Sequence, residues 1–169
     1  MNLHTPQSLM AFAEVAEIMN VENQMVSPQN SGTLISLQQD SLISVYLLTR
    51  DPVPVLHIDL FCDCVMGIRH SSRALPPGNS PSGRDLVSLM LPPRLSCPGV
   101  ANGVVVSALD NKKMRNIVHC VFLDYSPHRA MTMVSDLQRV LCRWQESVAF
   151  SVGLEASASI ILLKKKKKI

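Results

Sequence analysis

Long apolar runs are missing from this 169-residue sequence. None approaches the roughly 20 residues that a membrane-crossing helix needs. The N-terminus also lacks the charged-then-apolar build of a secretory signal. Charge is scarce: Asp, Glu, Lys and Arg make up 17% against 47% apolar residues. That balance excludes a disordered chain and leaves enough material for one core. Glycine is sparse, seven residues to eleven prolines, which points to short elements separated by sharp breaks. The five cysteines are an odd number. Without a secretory segment they argue against a disulfide framework and for a reducing, intracellular setting.

Self-sufficient chemistry is missing as well. There is no phosphate-cradling P-loop, no G-x-G-x-x-G, no H-E-x-x-H and no G-x-S-x-G. His4, His57, His70, His119 and His128 are scattered, and no two acidic residues form a recognisable catalytic pair. Cys62-Asp63-Cys64 is a C-x-C pair, but zinc would need a second pair or histidines at ligand spacing. The expected setting for it is a buried apolar strand with two small side chains. His119 lies among apolar residues and reads as a satisfied sheet histidine.

The net charge of +3 is carried by one run. Setting aside Lys164 to Lys168 turns it into −2, so the body gives no bulk-charge case for nucleic acid. The segment 156–169, "ASASIILLKKKKKI", has neither period nor turn logic. A lysine run can bind phosphates or anionic lipid. The favoured reading is instead a translation of adenine-rich sequence beyond the true frame.

What is present is a set of periodic segments. Phe12, Val15, Ala16 and Met19 fall at i, i+3, i+4 and i+7, and Ser8 is placed to cap that helix. Pro28 and Asn30-Ser31-Gly32 mark a turn, after which Thr33 to Leu37 reads as a strand. Asp40 is expected to cap a second helix ending near Arg50, apolar on nearly every side and so needing cover from all sides. Residues 53–68 read as strand, 69–83 as a loop, and 84–91 as a short helix or strand ended by Pro92-Pro93. Val104 to Leu109 reads as a strand, and 116–123 is a second strand candidate. Ala130, Val134, Leu137, Leu141, Trp144 and Val148 repeat at spacings of four and three, with Pro127 in the first turn. These residues predict a long amphipathic helix packed by one face. The fold class is mixed α+β, with short strands and three main helices.

The opening "MNLHTPQS" resembles the sequence just after the metal-binding loop in the largest subunit of multisubunit DNA-directed RNA polymerases. In that family the loop reads NADFDGD and leads into M-N-L-H-x-P-Q-S. Four further blocks are similar in the same order. "AEVAEIMNVENQMVSPQN" matches a helix and S-P-Q/A-N turn, in wording near that of large DNA viruses. "QQDSLISVYLLTRD" matches Q-D-x-x-x-G-x-Y-x-L-T. "SGRDLVSLMLPP" matches S-G-K/R-Q/D-x-x-S-x-x-L-P-P. The stretch from "GVVVSALDNKK" to "LCRW" and "AFSVGLEA" matches the strand pair and long helix before G-F-S-x-G-I-x-D.

The resemblance implies residues 1–50 as the end of the active-centre domain, 51–155 as a pore-domain-like region, and 156–169 as a separate Lys-rich tail. It implies metal-assisted nucleotidyl transfer with Mg²⁺ in the intact enzyme. The other polymerase subunits, template DNA and RNA are the implied partners, and no membrane. The nucleus is implied for a cellular polymerase, and the cytoplasm or virion for a viral one. Met1 resembles an internal methionine of a much longer protein. The aspartates of the metal loop are expected upstream of it, so no catalytic or metal residue is assigned within the chain. Met1, Asn2 and His4 are expected to support that loop, and Gln39 and Asp40 to cap a helix near the active centre.

Departures from the family pattern are Ser44 for glycine, Pro81 for an aromatic, Ala149 for glycine and Ala156 for the final aspartate. The chain alone is expected to be inactive. The alternative is a non-catalytic remnant or interaction module that no longer joins a polymerase. Lacking cover for its second helix, the chain is expected to leave residues 40–50 poorly protected and 130–148 well protected.

Overall fold

Six helices and one two-stranded ribbon make up the described part of this computed structural model, which is residues 2–71, 74, 80–151 and 153. The class is mixed α+β, as expected, with helix dominant. The helices are α1 (Leu9–Glu17), α2 (Gln39–Thr49), α3 (Ile58–Val65), α4 (Gly83–Ser88), α5 (Asn111–Asp124) and α6 (Pro127–Val148). Strands β1 (Val100–Ala101) and β2 (Val104–Val105) pair antiparallel, and a 3-10 turn covers Val21–Gln24. No described helix is long and apolar enough to cross a membrane.

The long helix α6 is the spine. Ser126 caps it by accepting from Arg129 N at 3.1 Å, and Pro127 takes a first-turn position, where its missing N–H costs nothing. Its buried face carries Ala130, Met133, Val134, Leu137, Val140, Leu141 and Trp144. Val148, the last residue of the predicted stripe, is exposed because the helix ends there, beyond its neighbours. Helices α2, α3 and α5 and the 3-10 turn all pack on α6.

Several predicted strands are helices or shorter. Residues 58–65 form α3, which turns Phe61 and Cys64 inward and leaves Asp59, Cys62 and Asp63 outside. The C-x-C pair therefore lies on a helix, with one thiol in and one out. Residues 116–123 belong to α5, whose Met114, Ile117, Val118 and Val121 are buried at i, i+3, i+4 and i+7. That period is visible only when the reading starts at Asp110, whose carboxylate accepts from Lys113 N at 2.8 Å and begins the helix. His119 consequently sits on a helix and not in a sheet. Thr33 to Leu37 is irregular, with a single antiparallel bridge from Val26 to Thr33, and the strand at 104–109 shrinks to Val104–Val105.

The largest reversal concerns α1 and α2. Helix α1 starts at Ser8 as predicted, with Ser8 Oγ accepting from Ala11 N at 3.2 Å. Yet none of its residues is buried: Leu9 is 84% exposed, Met10 85% and Phe12 63%, and Met19 just beyond it is 64% exposed. Helix α2, expected to lack cover, is packed on one side between α6 and α4, while Leu42, Ile43, Tyr46 and Leu47 stay partly or largely exposed on the other. It turns Ser41, Ser44, Val45, Leu48 and Thr49 inward. The Ser44 hydroxyl is satisfied, since its Oγ lies 2.8 Å from Asp40 O and 2.6 Å from Gln145 Oε1 on α6. Gly83 lets α4 approach α2, because a Cβ there would collide with the carbonyl oxygen of Leu48.

Thr49 joins three segments. Its hydroxyl donates to Val45 O at 2.7 Å and accepts from buried Leu109 N at 2.9 Å, while its carbonyl accepts from Arg84 Nε at 2.9 Å. Replacing it by the isosteric valine strands the Leu109 amide. Thr49→Val is expected to cost about 1–3 kcal/mol, read from urea unfolding; a loss under about 0.5 kcal/mol would show that the amide finds water instead. Hydrogen exchange is expected to protect 41–49 as strongly as 130–144 and to leave 9–17 fast. Rapid exchange across α2 would contradict its packing between α4 and α6.

Candidate functional site

The residues singled out by resemblance fall at two places. Asn2 and His4 are exposed on the irregular segment ahead of Ser8, and Met1 lies outside the described residues. Gln39 and Asp40 are exposed at the start of α2. The capping role expected for Asp40 is not what the chain does. Gln38 is the residue before the first turn, no side chain caps it, and Asp40 lies inside the helix. Gln39 takes φ +49°, a left-handed value that costs a non-glycine residue about 1–2 kcal/mol. No hydrogen bond among the described residues joins the Asn2–His4 segment to Gln39 or Asp40.

Among the described residues, three surface clefts stand out. A polar one of about 360 Å³ lies where the turn at 30–34 meets α5, with Arg115, Asn116 and His119 on its helical wall. Thr33 Oγ1 donates to Arg115 O at 3.1 Å, and Asn30 Oδ1 accepts from Gly32 N at 3.0 Å, which fixes the turn. No carboxylate lines this cleft, unlike the other two. An apolar groove of about 400 Å³ runs along α2 beside Phe150. The third, about 450 Å³, separates α3 from α6, and one ion pair lies within it. Arg139 Nη1 donates to Gly67 O at 2.9 Å, and Arg143 lies 3.6 Å from Glu146.

One buried charge organises that side of the molecule. Asp136 on α6, 1% exposed, accepts from the backbone amides of Arg69 and His70, both at 3.2 Å. Arg139 stands 3.6 Å away. Arg129, nearly two turns earlier, donates to Met90 O at 3.2 Å. Burial lowers the Arg129 pKa from its usual range, and Asp136 and Tyr125 oppose that shift. The cluster ties the 69–70 segment and the turn just after α4 to the spine, a structural duty.

Among the described residues no three of His, Cys, Asp and Glu come together.

The family model described as RNA polymerase Rpb1, domain 3, matches residues 24–155. The chain belongs to that family. Curated relatives agree. It is 27% identical over 183 residues to DNA-directed RNA polymerase II subunit RPB1-B of Trypanosoma brucei brucei, covering 92% of this chain and 10% of that protein. It is 22% identical over 166 residues to DNA-directed RNA polymerase subunit 1 of Acanthamoeba polyphaga mimivirus, covering 92% and 11%. It is 23% identical over 218 residues to DNA-directed RNA polymerase III subunit RPC1 of Saccharomyces cerevisiae, covering 99% and 14%. The chain thus spans about a tenth of the length of these relatives.

Two departures from the Rpb1-family pattern have a physical reading. Ser44, for glycine, links α2 to α6 through Gln145. Ala149, for glycine, ends α6 at φ +56°, a conformation that suits the glycine it replaces. Pro81 is buried, and its carbonyl accepts from Leu56 N at 2.9 Å. Ala156 lies outside the described residues. Sequence reasoning passed over Arg115 and Asn116 and put His119 in a sheet. An Arg–His pair at i, i+4 becomes a shared face only once 111–124 is known to be helical.

The five cysteines are all free thiols in different settings. Burial, and secondarily Asp63, pushes Cys64 up to about 11; burial and Cys120 push Cys97 up to about 11. Both thiols are favoured neutral in the fold. Their contribution to stability is present below pH 9 and is lost as pH rises from 9 towards 11. Iodoacetamide at pH 8 is expected to label exposed Cys62 and Cys142 first and Cys64 about a hundredfold more slowly than a free thiol. Peptide mapping reads the order, and equal labelling of Cys62 and Cys64 would overturn the helical placement of that pair.

Proposed function

We propose that this chain is a segment of the largest subunit of a DNA-directed RNA polymerase and acts in DNA-templated transcription as part of that assembly. The match across 24–155 to the Rpb1 domain 3 family carries the reading. Residues 1–50 are assigned to the end of the active-centre domain, 51–155 to the pore-domain-like region, and 156–169 to a separate tail. Packing of α2 on α4 and α6 runs across the 50/51 boundary, so the first two units act as one body around α6.

In this reading the chain supplies scaffold and not chemistry. Met1, Asn2 and His4 steady the neighbouring metal loop, and Gln39 and Asp40 set the approach of α2. In the intact enzyme Mg²⁺ would supply metal-assisted nucleotidyl transfer, and the residues that would hold it lie outside those described. Other polymerase subunits, template DNA and RNA are the partners. The place of work is the nucleus for a cellular enzyme, and the cytoplasm or virion for a viral one. The 169-residue chain by itself does not polymerise nucleotides. One observation favours a non-catalytic remnant instead: Ala149 keeps a strained φ where the family pattern has glycine.

Capture of the native protein from its source cells, with antibodies against 24–148, separates the readings. A polymerase segment is expected to arrive with a second large polymerase subunit, to yield NADFDGD-containing peptides, and to incorporate nucleotides on a DNA template. Capture of the chain without those companions and without incorporation would establish the remnant. Incorporation by the purified 169-residue chain would overturn the scaffold role.

A further inference from the structure

The polar cleft of about 360 Å³ between the turn at 30–34 and α5 is rich in hydrogen-bond donors. Arg115, Asn116 and His119 form its helical wall, and Asn30, Ser31 and Thr33 belong to the facing turn. Thr33 Oγ1 donates to Arg115 O at 3.1 Å, so the walls are joined through a backbone carbonyl and not through the guanidinium. Asn30 Oδ1 accepts from Gly32 N at 3.0 Å, which leaves Nδ2 as the donor of that side chain. Neither Arg115 nor His119 makes an ion pair among the described residues. Fixed charge on the two walls has one sign. Residues 25–38 hold no charged side chain, and residues 111–123 hold Lys112, Lys113 and Arg115 and no carboxylate. Lys112, three residues before Arg115, shares its side of the helix. Lys113 is engaged elsewhere, with its Nζ donating to Ser107 Oγ and Ala108 O. The carboxylates nearest in sequence keep their charge, but none lines the cleft. Asp110 accepts from Lys113 N, Asp124 bears on the Cys120 thiol, Glu22 contacts His128, and Asp40 lies in the first turn of α2.

We infer that this cleft binds a phosphoryl group, with Arg115 as the charged anchor. The planar guanidinium fork matches two oxygens of such a group. The amides of Asn30 and Asn116, the Ser31 hydroxyl and the His119 ring offer further donors. Together they exceed what the two oxygens of a carboxylate can use, and they suit the larger oxygen set of a phosphate. The volume falls within the roughly 300–1,000 Å³ of small-molecule sites, which leaves room for pyrophosphate or for a nucleotide that carries the phosphate. The inference goes beyond the polymerase assignment and does not rest on it, because every group in the site belongs to this chain.

The test is a titration of the isotope-labelled 169-residue chain, with amide shifts read residue by residue at constant ionic strength. The probes are inorganic phosphate, pyrophosphate and uridine monophosphate, with sodium chloride as the control. Residue-level reading is needed because the lysine run at 164–168 also attracts phosphate. Saturable shifts are expected at 30–33 and 115–119. Arg115→Gln is expected to weaken that binding about tenfold or more, as loss of a hydrogen bond to a charged group does. Arg115→Lys, which keeps the charge without the fork, is expected to fall between the two. Arg115 is exposed and Thr33 bonds only its carbonyl, so the unfolding transition is expected to stay put in both variants. Tighter binding of uridine monophosphate than of either inorganic probe makes a nucleotide the source of the phosphate; otherwise the free anion is the ligand. Shifts that chloride reproduces, or that survive Arg115→Gln unchanged, overturn the inference. So does a response confined to the lysine run, or the absence of any saturable shift at the cleft.

Discussion

Seven apolar side chains of α6, from Ala130 to Trp144, leave water along one face, and α2, α3 and α5 find their places by packing there. Full burial of each large one stabilises by about 1.5–3 kcal/mol, so no other element carries a comparable share. The polar contacts are arranged around that face. Asp136 sits within the buried stretch and pulls two backbone amides of the 69–70 segment onto it. Gln145, one residue past Trp144, takes the Ser44 hydroxyl and fixes the rotation of α2. Remove the spine and neither Asp136 nor Gln145 has anything to organise.

What could be read from the sequence followed from how much of a period each segment displays. Helix α6 shows six turns with a cap and a first-turn proline, and both its period and its proline were visible. Helix α5 has the same period, but its outer positions include Cys120, Phe122 and Leu123, so the run from Asn116 looks continuously apolar. The deciding signal was Asp110, six residues earlier, because a cap fixes where counting starts. Helix α3 is two turns long, too short for a period to outvote strand-like composition. The α1–α2 reversal has another cause. Periodicity says which face of a helix is apolar and nothing about what covers it. Helix α2 packs closely on its inner side because Ser41, Ser44 and Thr49 place small hydroxyl-bearing side chains at close contacts, and Ser44 and Thr49 bond back to the protein.

The candidate site divides along the same line. Asn2, His4, Gln39 and Asp40 came from the family resemblance; the family match spans 24–155, which includes Gln39 and Asp40 and leaves out Asn2 and His4. Nothing in composition hinted at the left-handed backbone of Gln39, since such strain is set by the segments on either side. The Arg115–His119 cleft is a product of tertiary folding: one wall is a turn at 30–34, the other a helix some eighty residues later, joined through Thr33 and Arg115. Ser44 shows how one departure from a family pattern can be absorbed, because its hydroxyl meets an acceptor on α6. Ala149 shows one that is not, since its φ remains that of a glycine.

Viewed as a mechanical object, the molecule is anisotropic. A pull on the N-terminus reaches α1 first, where no side chain is buried, and is next borne at Met25, the first fully buried residue among those described. Between them lie the 3-10 turn and the exposed His128–Glu22 contact at 2.9 Å. Tension along α6, by contrast, is shared at once among α2, α3 and α5. Residues 2–20 can therefore be drawn out or bent while the load stays off the core, and the 3-10 turn packed on α6 is the first element to resist.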